Sequence, residues 1–233
     1  MKTMSQVIVQ SAHQIFVNCV LVIGISFIWS LMIFPALFVF PWPAAMLFLV
    51  FTAMPATAAG CAVFGQVILQ EEKYKLGDFF HFFLHYYFRS LGFGMIIGIA
   101  AVIIGTQWWY YFAINHHYLM FVFSVFQTYL CLAFVATQIY TLPFLIMDDC
   151  SLFQAMNRSI QHFMRHIGYT LSLFIQLICM TLLLAFTVIG FFLLFIGMCS
   201  VFLINAAQNI QLAEQKTVSA AHHRDYHSSR TVN

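Results

Sequence analysis

The chain has 233 residues, 63% hydrophobic and 7% charged, with a formal charge of +2 and a mean hydropathy of +0.91. A soluble globular domain carries about 25% charged residues, so an ordinary soluble fold is excluded. A charge this small leaves no electrostatic footprint for nucleic acid either.

The nine basic and seven acidic residues are confined to Lys2, Glu71–Arg89, Asp148–Arg165 and Glu214–Arg230, and the long apolar runs hold none. A Lys, Arg or Asp at the centre of a spanning helix costs about 2.5–3.5 kcal/mol, so this segregation is that of a chain built for a bilayer. Proton relays, voltage sensors and carboxylate ion sites need ionisable groups at depth, and the apolar runs supply no Asp, Glu, Lys or Arg for them.

In chain order, the first predicted span covers 15–39. It is longer than a signal-peptide core and is read as a retained span. The second covers 44–70 and holds Pro55, a kink position, followed by the small residues Ala56, Thr57, Ala58, Ala59 and Gly60. Over Glu71–Ser90, Lys75, Asp78, His81, His85 and Arg89 recur every third or fourth position among aromatic residues, which predicts an interfacial helix with one polar stripe. The third span, 91–112, sets Gly94, Gly98, Ala101 and Gly105 on one face. Small residues let helices approach in lipid, so Pro55, Gly60, Gly94, Gly98 and Gly105 are the expected packing positions.

A fourth span follows at 118–147, then a second amphipathic helix over Cys150–His166. Its polar face is Gln154, Asn157, Arg158, Gln161, His162 and Arg165, and its apolar face is Leu152, Phe153, Met156, Ile160, Phe163 and Met164. The last apolar run, from Ile167 to Gln208, would be about 60 Å long as one helix. It is therefore expected to fold as two spans, 167–188 and 190–207, with a turn near Gly190. The remainder, 208–233, with His222, His223 and His227, reads as a polar disordered tail.

With six spans, every Lys and Arg falls on one side, which places both termini in the cytoplasm. Trp42, Trp108, Trp109, Tyr110, Tyr111 and Tyr118 gather on the opposite rim as an aromatic belt. The predicted fold class is all-α. It is a polytopic membrane helical bundle of six transmembrane helices with two cytoplasmic interfacial amphipathic helices. One membrane domain covers 1–207, and the polar cytoplasmic tail covers 208–233.

Asp78, His81, His85, Arg89, Asp148, Asp149, Arg158, His162 and Arg165 are the candidate partner-facing residues. His81/His85 and His162/His166 are each spaced i, i+4, which sets both rings of a pair on one helix face. A metal bridging them with Asp78 as oxygen ligand is the sharp alternative; histidines reaching toward headgroups are the favoured reading. Gln66, Gln107, Gln127, Gln138, Gln176 and Asn205 need hydrogen-bond partners within the membrane. The six cysteines show no CxxC spacing and read as small buried hydrophobes. No cofactor is implied. Phe88-Arg89-Ser90-Leu91-Gly92-Phe93 parallels Met164-Arg165-His166-Ile167-Gly168-Tyr169, the trace of a repeated module.

Met54-Pro55-Ala56-Thr57-Ala58-Ala59 resembles a segment of the YesL-like bacterial integral membrane proteins, with Met54 where that family has an aromatic residue. Leu142-Pro143-Phe144 followed by Asp148-Asp149 and a helix starting Ser-Leu is also similar, and the resemblance runs over roughly residues 10–207. It implies a small multi-span protein of a bacterial plasma membrane with no assigned reaction and an accessory role in sugar uptake. The partners it implies are subunits of a carbohydrate importer driven by an ATPase; the bilayer and a second copy of the chain are expected apart from the resemblance. Three functions are carried forward. The first is a non-enzymatic accessory or regulatory component. The second is a permease-type subunit with Asp148–His166 as a coupling-like helix. The third is a membrane enzyme using Asp78, His81, His85 and His162.

Overall fold

A computed structural model of the chain describes residues 3–38, 41–70, 76–114 and 117–230, without the side chains of 4, 37, 38, 42, 43, 46, 69, 70 and 215–230. Among the described residues nine helices follow one another: α1 Met4–Val17, α2 Cys19–Phe38, α3 Trp42–Gln70, α4 Asp78–Ala113, α5 Tyr118–Thr137, α6 Thr141–Met147, α7 Leu152–Arg165, α8 Ile167–Phe186 and α9 Val188–Arg230. Among the described residues six stretches are long and apolar enough to cross a membrane: Cys19–Ala36, Leu47–Ile68, Asp78–Ala113, Tyr118–Met147, Ile167–Phe186 and Val188–Glu214. The fold is an all-α polytopic bundle.

Several boundaries differ from the sequence reading, each for a local reason. The run predicted as one span over 15–39 breaks at Asn18, whose side-chain amide donates to the Gln14 carbonyl at 3.1 Å alongside its own backbone N–H at 3.0 Å. Such a side chain competes with the helical ladder, so α2 starts afresh at Cys19. α1 before it carries a capping box, in which the Thr3 N–H donates to Gln6 Oε1 at 3.1 Å.

The helix predicted over Glu71–Ser90 is not a separate element. Residues 71–75, with Glu71, Lys73 and Lys75, lie outside the described residues, and Asp78 onward belongs to the 36-residue α4. No breaker stands at the expected boundary, and Ser90 returns its hydroxyl to the Tyr86 carbonyl at 2.7 Å. The second amphipathic helix is separate, because His166 leaves helical geometry at φ −129°, ψ 48°.

The predicted fourth span divides at Gln138–Tyr140 into α5 and the short α6. The turn between α8 and α9 falls at Thr187, not Gly190, and Thr187 Oγ1 donates back to the Leu184 carbonyl at 3.2 Å. Gly190 makes room for that hydroxyl, since a Cβ there would stand 2.6 Å from it. Finally, the segment expected to be a disordered tail from 208 continues α9 as helix to Arg230.

α9 forms the axis of the bundle. Its Ile204, Ala206, Ala207 and Ile210 pack with Ala58, Cys61 and Ala62 of α3 and with Tyr140, Phe144 and Leu145 around α6. Its Ile196 and Val201 close a second core with Val22, Ile25 and Trp29 of α2 and Phe79 of α4. Phe202 joins Met180 and Leu184 of α8 in a third. Direct polar contacts accompany this packing: Asn205 Nδ2 donates to Ser11 Oγ at 3.0 Å, and Trp29 Nε1 to Thr57 Oγ1 at 3.2 Å.

The expected packing positions divide. Pro55 is buried inside α3. Gly94 and Gly98 let α4 close on α3, since a Cβ would stand 3.0 Å from Met54 Cβ at the first and 2.8 Å from Val50 Cγ2 at the second. Gly60 is in ordinary contact, with Ser200 Oγ at 3.5 Å. At Gly105 nothing described lies within 4 Å of the Cβ position.

Candidate functional site

Six of the described charged side chains, all but Asp78, gather where α4, α6, α7 and α9 meet, and they pair with one another. Arg89 of α4 pairs with Asp149, whose carboxylate and carbonyl both face the guanidinium. Arg158 of α7 pairs with Asp148 at the end of α6, and Gln211 Nε2 of α9 donates to the same carboxylate at 3.3 Å. Glu214 of α9 receives Arg165 Nη1 at 2.9 Å and stands 3.1 Å from His162 Nδ1. Six of the nine residues expected to face a partner, Arg89, Asp148, Asp149, Arg158, His162 and Arg165, thus bind elements of this chain to each other. Gln211 and Glu214 were missed in the sequence because they lie in a stretch that reads as a polar tail.

The other three lie apart from this network. Asp78 stands in the first turn of α4, where a carboxylate suits the helix N-terminus. His81 and His85 are exposed on α4, their rings stacked with centroids 6.4 Å apart. Among the described residues no three His, Cys, Asp or Glu side chains come together as a metal-binding group.

α7 has three faces. A narrow line of Ala155, Ser159 and His162 is buried against the bundle. Bulky Phe153, Ile160 and Met164 point outward from it. Gln154, Asn157, Arg158, Gln161 and Arg165 occupy the polar side. This is the partition of a helix lying at a membrane surface. α7 is entered through its own capping box, with the Ser151 N–H donating to Gln154 Oε1 at 3.2 Å. Asp149 precedes it in the left-handed region at φ 44°, a conformation short polar side chains tolerate.

Ser159 is the fastener. Its hydroxyl donates to the Thr137 carbonyl at 2.6 Å and accepts from the Tyr140 N–H at 3.2 Å. Both groups are released where α5 breaks into α6. An interior backbone group without a partner is costly, so one side chain of α7 meets the needs of the broken span.

His162 is 8% exposed and tilts against the Phe144 ring, centroids 4.8 Å apart. Burial holds its pKa below the ordinary 6.5; the Glu214 carboxylate opposes this, while His166, Arg165 and Arg158 add to it. Nδ1 is close to Glu214 without the alignment a hydrogen bond needs. Cys150, half-buried beside Asp148, has its thiol pushed up, chiefly by burial and then by that carboxylate, which makes it a poor nucleophile.

A groove of about 610 Å3 opens along the polar side of α7, lined by Asp148, Cys150, Gln154, Asn157, Arg158 and Gln161. Its chemistry is that of neutral hydrogen bonding, with three primary amides beside a compensated carboxylate–guanidinium pair.

Fold and site together define a class, that of multi-span all-α membrane proteins with a charge-knit, amide-rich end. No family model, curated protein or solved structure matches the chain.

Proposed function

We propose that this chain is a bacterial plasma-membrane protein with both termini in the cytoplasm. In this reading it has no catalytic activity of its own and serves as an accessory or regulatory component beside a carbohydrate importer, as its resemblance to the YesL-like family implies. The observation that carries the reading is the three-faced α7. Its charges are compensated within the chain, while Asn157 and Gln161 stand exposed at the mouth of a water-facing groove. Exposed amides beside neutralised charges suit a partner's backbone and polar side chains, and they do not steer a free ion.

The test is capture of the protein at native expression from its own membrane. An importer subunit is expected to co-purify, and the Asn157→Ala, Gln161→Ala double variant should lose it without loss of thermal stability. Capture of no other protein, or capture indifferent to the double variant, overturns the reading.

One observation favours a second reading, a permease-type subunit. Asp148–His166 stands between two spans and is fixed to both, to α5–α6 through Ser159 and to α8 through the continuous chain. A coupling helix requires that arrangement. Sugar uptake into proteoliposomes containing the chain and its ATPase would establish it, and silence with every candidate ATPase would remove it.

A further inference from the structure

We propose that a second copy of this chain packs on α5 along Met120, Phe123, Gln127, Leu130 and Phe134, with the two Gln127 amides hydrogen-bonded across a two-fold axis. Those five residues recur at alternating intervals of three and four, the spacing of a helix–helix seam.

α5 packs on α4 through a different line, where Trp108 Nε1 donates to Thr128 Oγ1 at 3.0 Å and Ser124 is buried. Two of the five seam residues stand open, Phe123 at 56% and Leu130 at 59% exposure, and Met120, Gln127 and Phe134 are half-buried. None of the three apolar cores among the described residues draws on α5. Within α5 itself only Ser124 and Ala136 are buried.

Open apolar surface alone would mean only lipid. Gln127 changes that. It stands midway along a 20-residue apolar helix, half-buried, and has no hydrogen bond among the described residues. Hydrocarbon offers an amide neither donor nor acceptor, whereas another helix can. The occupant follows from the amide itself. It carries an acceptor oxygen and a donor NH2 in one group, so it is its own complement, and an isologous axis sets each donor on the other's acceptor. A single polar residue at the centre of an apolar seam also fixes register and copy number.

The experiment measures association of the full chain in liposomes by energy transfer on lipid dilution, with mass determination in mild detergent. Dimers are expected for the native chain. Gln127→Leu should weaken association about 3- to 20-fold, while Gln176→Leu, which removes another mid-helix amide, should leave it unchanged. A Leu130→Cys variant provides a second measurement that needs no loss of stability. It should give oxidative dimers beyond those of the native cysteines. A monomer at every lipid dilution, a dimer indifferent to Gln127→Leu, or recovery of a different membrane protein bound through Gln127 in place of a second copy would each overturn the proposal.

Discussion

At Gly197 a Cβ would stand 2.8 Å from Val22 Cγ1 and 2.9 Å from the Val22 carbonyl oxygen, and the Gly197 N–H donates to Ser26 Oγ at 2.9 Å. A carbonyl held in its own helix cannot swing aside as a side chain can. Gly197→Ala should therefore part α2 from α9 and cost about 1–3 kcal/mol, seen as a lower unfolding temperature in a fixed detergent. Gly105→Ala meets open space and should be neutral or stabilising, since Ala is the better helix former. The contrast shows what spacing in a sequence can reveal. Gly94, Gly98 and Gly105 look equivalent along one helix face, and the approach of Met54 and Val50 decides which of them meets a described neighbour. Gly197 was not visible because its partner lies 171 positions away. Ser159 is a second such residue. It reads as one hydroxyl in an amphipathic helix, yet Ser159→Ala would strip the Thr137 carbonyl and the Tyr140 N–H of their partner. The expected loss is about 1–3 kcal/mol, with faster hydrogen exchange at the Tyr140 amide as the local readout.

Among the elements, α7 was legible because its apolar and polar residues alternate with the helical period and charges bracket it. Its join to α8 and the continuity of α4 were not. The two six-residue stretches through Arg89 and Arg165 look alike, yet Ser90 hydrogen-bonds back into its helix while His166 turns out of it. That choice is made by a single side chain and leaves no trace in periodicity. The sequence also offered no way to pair α7 with Glu214 of α9, and the burial of His162 beside that contact makes the helix sensitive to pH. His162 is buried with its pKa below 6.5, so between the folded value and 6.5 the unfolded chain binds more protons than the folded one. The contribution is complete above pH 6.5 and is lost as pH falls through the folded value. Unfolding temperature should thus decline as pH falls below 6.5, with His162→Gln flattening that part of the profile. An unchanged slope in the variant would assign the decline to other groups. Glu214→Gln removes the one partner that favours protonation and should leave the onset of the decline in place while extending it to lower pH.

For the molecule as a whole, the separation of charge into one end makes the proposed orientation testable. α5 runs about 30 Å from Tyr118 to Thr137, and Thr137 is held by α7 through Ser159, so Tyr118 and the α7 groove lie at opposite ends of a span. In the proposed orientation, which follows the positive-inside rule, the α7 end is the cytoplasmic one. A Tyr118→Cys variant should then react with a membrane-impermeant maleimide on intact cells, and Gln161→Cys only after the membrane is opened. The native background from outside should be low. Cys19 and Cys179, though exposed, lie within spans, and Cys150 shares the α7 end. Reversed labelling would set the groove on the outer surface, out of reach of any cytosolic ATPase. The coupling-helix reading would fall with it, and a partner for the Asn157 and Gln161 face would have to be sought outside the cell.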